Sequence, residues 1–306
     1  RGRAVRLYPD DKLRFFPVQM LNPAVKKQNP PRYDPLSAVL RALVFSAAGI
    51  TAFVIVFLVG YITVMGLPNI SADLFSWTYT SENVSLTQSL INTVLVAVLS
   101  LALSAPLGIF AAIYLVEYAK RGNKLVSAVR LAAETLAGIP SIVYGLFGML
   151  LFVVYLKWGY SLLAGACTLA VMVLPLIMRT AEEAFLSVPD SYREGSFGLG
   201  AGRLRVVFAI VLPSAMPGIL AGIILSIGRI AGETAALIFT AGTVAKLPDS
   251  LFSSVRTLSV HMYSLSSEGL YLKQSYATAL ILICLVLCIN AASARLAKKI
   301  AEGRNE

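Results

Sequence analysis

The sequence predicts an all-α, polytopic membrane protein with about six transmembrane helices. Three observations carry this. Apolar residues make up 57% of the 306 positions and charged residues 14%, with a mean hydropathy of +0.76, so a water-soluble globule could not cover its apolar surface. The apolar residues fall into runs near the roughly 20 that a helix needs to cross a bilayer, and helices satisfy their own backbone in hydrocarbon. The 26 Lys and Arg collect in alternate segments between those runs.

Residues 1–37 hold six prolines and many basic residues without an apolar run, and they predict a basic cytoplasmic tail suited to anionic lipid. The transmembrane domain then covers residues 38–300. Its first span is about 39–65, followed by an outer stretch in which Trp77 and Tyr79 are interfacial anchors. The second is about 89–114, where Pro106 and Gly108 predict a kink or a close helix contact. The third is about 135–156, with Gly138 and Pro140 near its inner end, and the fourth about 161–178.

The apolar stretch 206–244 is nearly twice the length one span needs, so part of it does not cross. Proline is tolerated in a first helical turn, so Pro213 and Pro217 mark the division and the fifth span starts near Pro217. The sixth is about 276–296, and residues 301–306 form a short cytoplasmic tail.

Nine of the basic residues fall in the first 41 positions, four in 120–130, four in 179–205 and four in 295–304. This is the asymmetry of the positive-inside rule, and it orients both termini toward the cytoplasm. It also argues against a nucleic-acid partner, since the charge of +10 forms no single patch. Cys167, Cys284 and Cys288 lack the spacing of a zinc site and read as small buried hydrophobes. His261, the one histidine, reads as a polar residue of an outer loop, and no metal site or cofactor is expected.

The inner loop, about 179–213, is the most informative segment. Ser191 and Glu194 after Pro189 have the spacing of a capping box, which predicts a short helix along the inner face, ended by Gly198, Gly200 and Gly202. No G-x4-G-K-[ST] phosphate loop occurs, so the chain does not read as an ATPase. H-E-x-x-H and G-x-S-x-G are also absent, which leaves an intramembrane enzyme without its usual constellations.

Arg229 and Glu233 lie one helical turn apart, in the segment GRIAGETAAL, and so would share a helix face. Arg229 is 12 residues beyond Pro217, about 18 Å along a helix, hence near mid-bilayer. A charge there costs about 2.5–3.5 kcal/mol on insertion scales, which favours a protein-facing or water-filled place. Two readings stay open: a structural ion pair, or a substrate path in which the guanidinium fork binds an oxyanion and Glu233 accepts a proton from it. Glu134, Arg179, Ser141 and Tyr144 are weaker candidates.

Glu194, Gly200, Ile210, Leu212 and Pro213 match the pattern E-A-A-x3-G-x9-I-x-L-P, with Gly195 and Ser196 in place of the two alanines. In this the chain resembles the permease subunits of bacterial ABC importers, the binding-protein-dependent inner-membrane components. LAGIPSIVYGLFG, LPLIMRTAEEAFLSVPDSYRE, GRIAGETAALIFTAG and SSVRTLSVHMY are similar to phosphate-specific permeases of the PstA type, over roughly residues 85–297. The resemblance implies the type I permease fold and a coupling role for Glu194, Gly195, Ser196, Gly200, Ile210, Leu212 and Pro213 at a separate ATPase. It also places Arg229 and Glu233 on the translocation path. The partners it implies are a second permease of the PstC type, PstB-type ATPases, a PstS-type binding protein, phosphate and membrane lipid, in a bacterial cell membrane. The alternatives are a permease for a related oxyanion such as sulfate and an ion-gradient-driven anion transporter.

Overall fold

In a computed structural model, the described residues are 35–120 and 122–302, so the tail assigned to 1–37 and the end at 303–306 lie almost wholly outside them. Eleven α-helices are formed among the described residues. Contacts divide the chain within the first, α1 (Pro35–Gly66), into residues 1–57 and 58–306. In the first unit α1 is apolar on every side, with Phe45 71% and Phe53 69% exposed, a composition that fits hydrocarbon as solvent.

The second unit is built around α5 (Leu162–Leu186). Leu169, Val173, Ile177, Ala181 and Phe185 recur every fourth residue and are at most 1% exposed, so one full stripe of α5 is buried. Against it lie α2 (Thr87–Ile113) and α8 (Leu212–Gly232), with α11 (Leu272–Glu302) packed on α8. Lipid tails are as apolar as Leu, so close van der Waals approach, rather than escape from water, holds such helices together. Small residues make that approach possible. A β-carbon on Gly108 would stand 2.9 Å from Ile177 Cγ2, confirming the close contact expected of α2, and one on Gly218 would stand 2.7 Å from Ala184 Cβ. Gly218 and Gly222 form a G-x3-G face toward α5.

The third span differs from its expected form. Helices α3 (Lys124–Ala137) and α4 (Ser141–Gly148), the latter continued by a π-type turn to Tyr155, meet at 103°. Pro140 has no N–H to continue the ladder and restricts Ile139, so the helix stops at Gly138 and restarts in a new direction. By length and apolarity five helices among the described residues qualify as spans, or six with this bent pair.

The fifth span is likewise corrected. Pro213 and Pro217 do not divide the stretch; Arg203–Gly232 is one continuous 30-residue helix made of α7 (Arg203–Val206), a π-type turn at Val207–Val211 and α8. The wide turn changes the bonding just before Pro213, so the missing N–H does not end the helix, and Ser214 Oγ donates to Ile210 O at 2.7 Å. The break falls instead after Gly232, before the short α9 (Ala235–Thr240).

In the inner loop the short helix forms as expected, α6 (Asp190–Gly198), but without the capping box. Pro189 occupies the N-cap position and offers no side-chain acceptor, which leaves Ser191 and Glu194 inside the helix. Gly200, at φ +81°, turns the chain back to the membrane. On the other side of the bundle, Asn92 Nδ2 donates to Lys246 O (2.9 Å) and Arg256 O (3.2 Å), and Leu258 N donates to Thr93 Oγ1 (2.8 Å), tying the 241–257 segment to α2.

His261 is no surface residue. It is fully buried in α10 (Leu258–Glu268), edge-on to the Tyr79 ring and 3.4 Å from Arg256 Nη1. Cys167 is half-buried, while Cys284 and Cys288 are exposed, against the expectation that all three are buried.

Candidate functional site

A cavity of about 610 Å³ opens between α3, α5 and the end of α8. Into it project three arginines, Arg130, Arg179 and Arg229, and three glutamates, Glu134, Glu182 and Glu183. Two of the arginines are neutralised. Arg130 Nη2 lies 2.5 Å from Glu182 Oε1, and Arg179 Nε donates to Glu183 Oε1 at 3.1 Å. Arg229 has no ion-pair partner among the described residues.

Arg229 also borders a second cavity, of about 720 Å³, between α8 and α11, whose polar side chains are Arg229 and Asn290. Leu176 lines both cavities beside Arg229. Arg229 lies in the last turn of α8, three residues before its end at Gly232, and shares the first cavity with Arg179. Tyr144, whose hydroxyl donates to Leu136 O at 2.7 Å, is within electrostatic reach of Arg229. Asn290 Oδ1 is buried without a hydrogen-bond partner, and a β-carbon on Gly228 would stand 3.6 Å from it.

The structure separates Arg229 from Glu233. Because α8 ends at Gly232, Glu233 is extended (φ −73°, ψ 128°) and leaves the helix face that carries Arg229. Its Oε1 accepts from Ala236 N at 3.1 Å, and its carbonyl accepts from Ser259 Oγ at 2.6 Å. Glu233 thus caps α9 and closes the chain break. The structural ion pair is not formed.

The other candidate residues lie on α6, in the turn after it and in the first half of the helix that carries Arg229. Glu194 and Gly195 are exposed on α6, and Ser196 Oγ donates to Tyr192 O at 2.5 Å. Ile210 belongs to the π-type turn, and Leu212 and Pro213 open α8, with Leu212 packed on the cluster of Ala112, Phe185 and Val211. None of the α6 residues is buried, so apolar packing does not hold this helix. Arg193 does. Its Nε and Nη2 donate to Glu117 Oε1 at 3.0 and 2.8 Å, Nη1 to Val188 O at 2.7 Å and Asp190 Oδ1 at 3.1 Å, and Nη2 to Phe185 O at 2.9 Å.

Arg193, Glu117, Arg130, Glu182 and Asn290 were not singled out by the sequence. For Glu182 a signal existed: adjacent Glu182 and Glu183 point to different sides of one helix, so one of them had to turn inward. For the Arg193–Glu117 pair, 76 residues apart, no local signal exists.

Comparison with known proteins places this geometry. Residues 104–302 match the family of binding-protein-dependent transport system inner membrane components. The chain is 35% identical over 239 residues to the probable ABC transporter permease protein YqgI of Bacillus subtilis (strain 168), covering 73% of this chain and 81% of that protein. It is 35% identical over 209 residues to phosphate transport system permease protein PstA 1 of Mycobacterium tuberculosis (strain CDC 1551 / Oshkosh), covering 67% and 68% respectively. Its fold matches a chain of a bacterial ABC transporter involved in the import of the acidic polysaccharide alginate, with a TM-score of 0.61 at 16% identity over 87% of this chain and 98% of that one. ABC importer permeases work with an ATPase that is a separate subunit and with a periplasmic binding protein. The chain belongs to the binding-protein-dependent transport system inner membrane components, as a multi-pass inner-membrane permease subunit of an ABC importer.

Proposed function

We propose that this permease imports phosphate, and that the anion passes Arg229. The observation that carries the reading is a guanidinium without an ion-pair partner among the described residues, on the wall between two cavities, the first of which holds two further arginines that glutamates neutralise. An uncompensated charge among apolar membrane helices is costly, and a transient anionic ligand supplies the missing countercharge. The planar guanidinium binds two oxygens of a phosphate at once. Similarity to PstA 1 supports phosphate over other oxyanions. Glu233 stands at the end of this path and shapes it by holding the α8–α9 break.

At the other end, α6 docks on the cytoplasmic ATPase. Tyr192, Phe197 and Leu199 are 53%, 46% and 91% exposed, an apolar set beside the exposed Glu194 that suits a cleft in a partner. A second permease of the PstC type, PstB-type ATPases and a PstS-type binding protein complete the importer, with both termini of this chain cytoplasmic. ATP-driven closure of the ATPases moves α6, and α5 and α8 carry the change to Arg229.

The test is phosphate uptake by proteoliposomes holding the assembled complex and binding protein. ATP-dependent uptake that a pH gradient does not replace supports the reading. ATP-dependent uptake of sulfate with phosphate excluded would transfer it to another oxyanion, and uptake driven by a pH gradient without ATP would refute the coupling.

A further inference from the structure

Helix α6 presents a mechanical difficulty for any docking role. Nine residues with no buried side chain, followed by a glycine at φ +81°, would bend or slide under load and not pass it on. Arg193 is the exception on this helix. Its side chain is 14% exposed and that of Glu117 is 9% exposed, and five hydrogen bonds fix the guanidinium to three separate places.

The first is the inner end of α2, where Glu117 sits in the π-type turn Tyr114–Tyr118 that follows Ile113. The second is the end of α5, through the carbonyls of Phe185 and Val188. The third is α6 itself, through Asp190. Phe185 O lies in the last turn of α5 and Val188 O just beyond its C-cap, Ser187, so Arg193 also braces the termination of α5. Beneath this node the apolar cluster of Ala112, Ile113, Phe185, Val188 and Val206 is packed with no more than 7% exposure at any of these positions.

We infer that Arg193 is the positioning residue that joins the first turn of α6 to α2 and α5 as one rigid body, so that displacement of α6 by the ATPase moves two membrane helices. The end of α6 and the residues after it, Phe197 to Gly200, are exposed and left free to adapt to the partner's surface. This rests on the docking role proposed above for α6. It requires arginine and not merely a positive charge, because a lysine ammonium has three donors on one atom and cannot span three acceptor sites in a fixed plane.

The experiment uses the complete complex with its second permease, ATPase and binding protein in proteoliposomes, and measures phosphate taken up and ATP hydrolysed in the same sample. The variants are Arg193→Lys and Glu117→Gln. Both are expected to keep binding-protein-stimulated ATP hydrolysis while phosphate taken up per ATP falls about tenfold, as loss of one or two charge-assisted bonds predicts. A merely structural role would lower both quantities together, and wild-type ratios in both variants would also overturn the inference. Where Arg193→Lys does not assemble, Glu117→Gln decides, since it keeps the size and the acceptor oxygen of the side chain and removes only the charge that strengthens its two bonds from Arg193. If the wild-type complex shows no ATP-dependent uptake, the docking reading itself fails; that outcome is distinct from a wild type that couples and variants that couple equally well.

Discussion

Gly222 of α8 faces Thr180 of α5 so closely that a β-carbon at position 222 would stand 2.0 Å from Thr180 Oγ1 and 2.7 Å from its Cβ. Thr180 cannot simply swing away, because Oγ1 donates to Leu176 O (2.9 Å) and lies 3.1 Å from Ile177 O. The crossing of α5 and α8, which sets where Arg229 meets the cavity lined by Thr180, therefore depends on the absence of a side chain at 222.

Gly222→Ala is expected to destabilise the protein by about 1–3 kcal/mol, the range for overpacking a close contact. Thermal unfolding of detergent-purified protein checks it. Combining the change with Thr180→Ala, which removes Oγ1 but keeps Cβ, recovers part of the loss. Full stability of Gly222→Ala would show that the two helices do not cross as described.

The charges around the inner cavity differ in what they contribute. Arg179 and Glu183 are each 64% exposed, so Arg179→Ala is expected to change stability by less than about 0.5 kcal/mol. Glu182 is 12% exposed at its side chain and paired to Arg130, so Arg130→Ala strands a largely buried carboxylate and costs about 1–3 kcal/mol. The same unfolding assay on both variants makes the comparison; equal effects would contradict the difference in burial.

His261 gives α10 and the segments around it an acid-sensitive point. Burial first, and the neighbouring Arg256 charge second, lower its pKa from the ordinary 6.5 to about 4. The unfolded chain therefore takes up this proton before the folded one does. The stabilisation is complete above pH 6.5 and is lost as pH falls toward 4, amounting to about 3 kcal/mol in all. Thermal unfolding across this window should show a slope that His261→Gln reduces; an identical slope in the variant would exclude His261 as its source.

Much of this architecture was legible because it rests on local rules. The apolar runs marked the spans, Gly108 marked a close contact, and Gly200 marked the return of the inner loop to the membrane. The misreadings share one cause: each depended on where neighbouring helices stand. Pro217 looked like a helix start, yet packing on α5 and the π-type turn before Pro213 carry the helix through both prolines. Glu233 looked like the helical neighbour of Arg229, but the helix ends one residue before it. His261, read as an outer polar residue, is buried, with Tyr79 from the segment before α2 edge-on to its ring and Arg256, just before α10, beside it. Arg193 drew no notice because its value lies in Glu117, far away in sequence.

The measurement that bears most directly on the central claim is phosphate uptake by the complete complex carrying Arg229→Gln. Glutamine keeps a polar side chain, two bonds shorter, and removes the charge that lies between the two cavities. Loss of the bidentate charged contact predicts a fall of about 100-fold in uptake, with assembly and binding-protein-stimulated ATP hydrolysis retained. Uptake by that variant at the wild-type rate would contradict a phosphate path past Arg229.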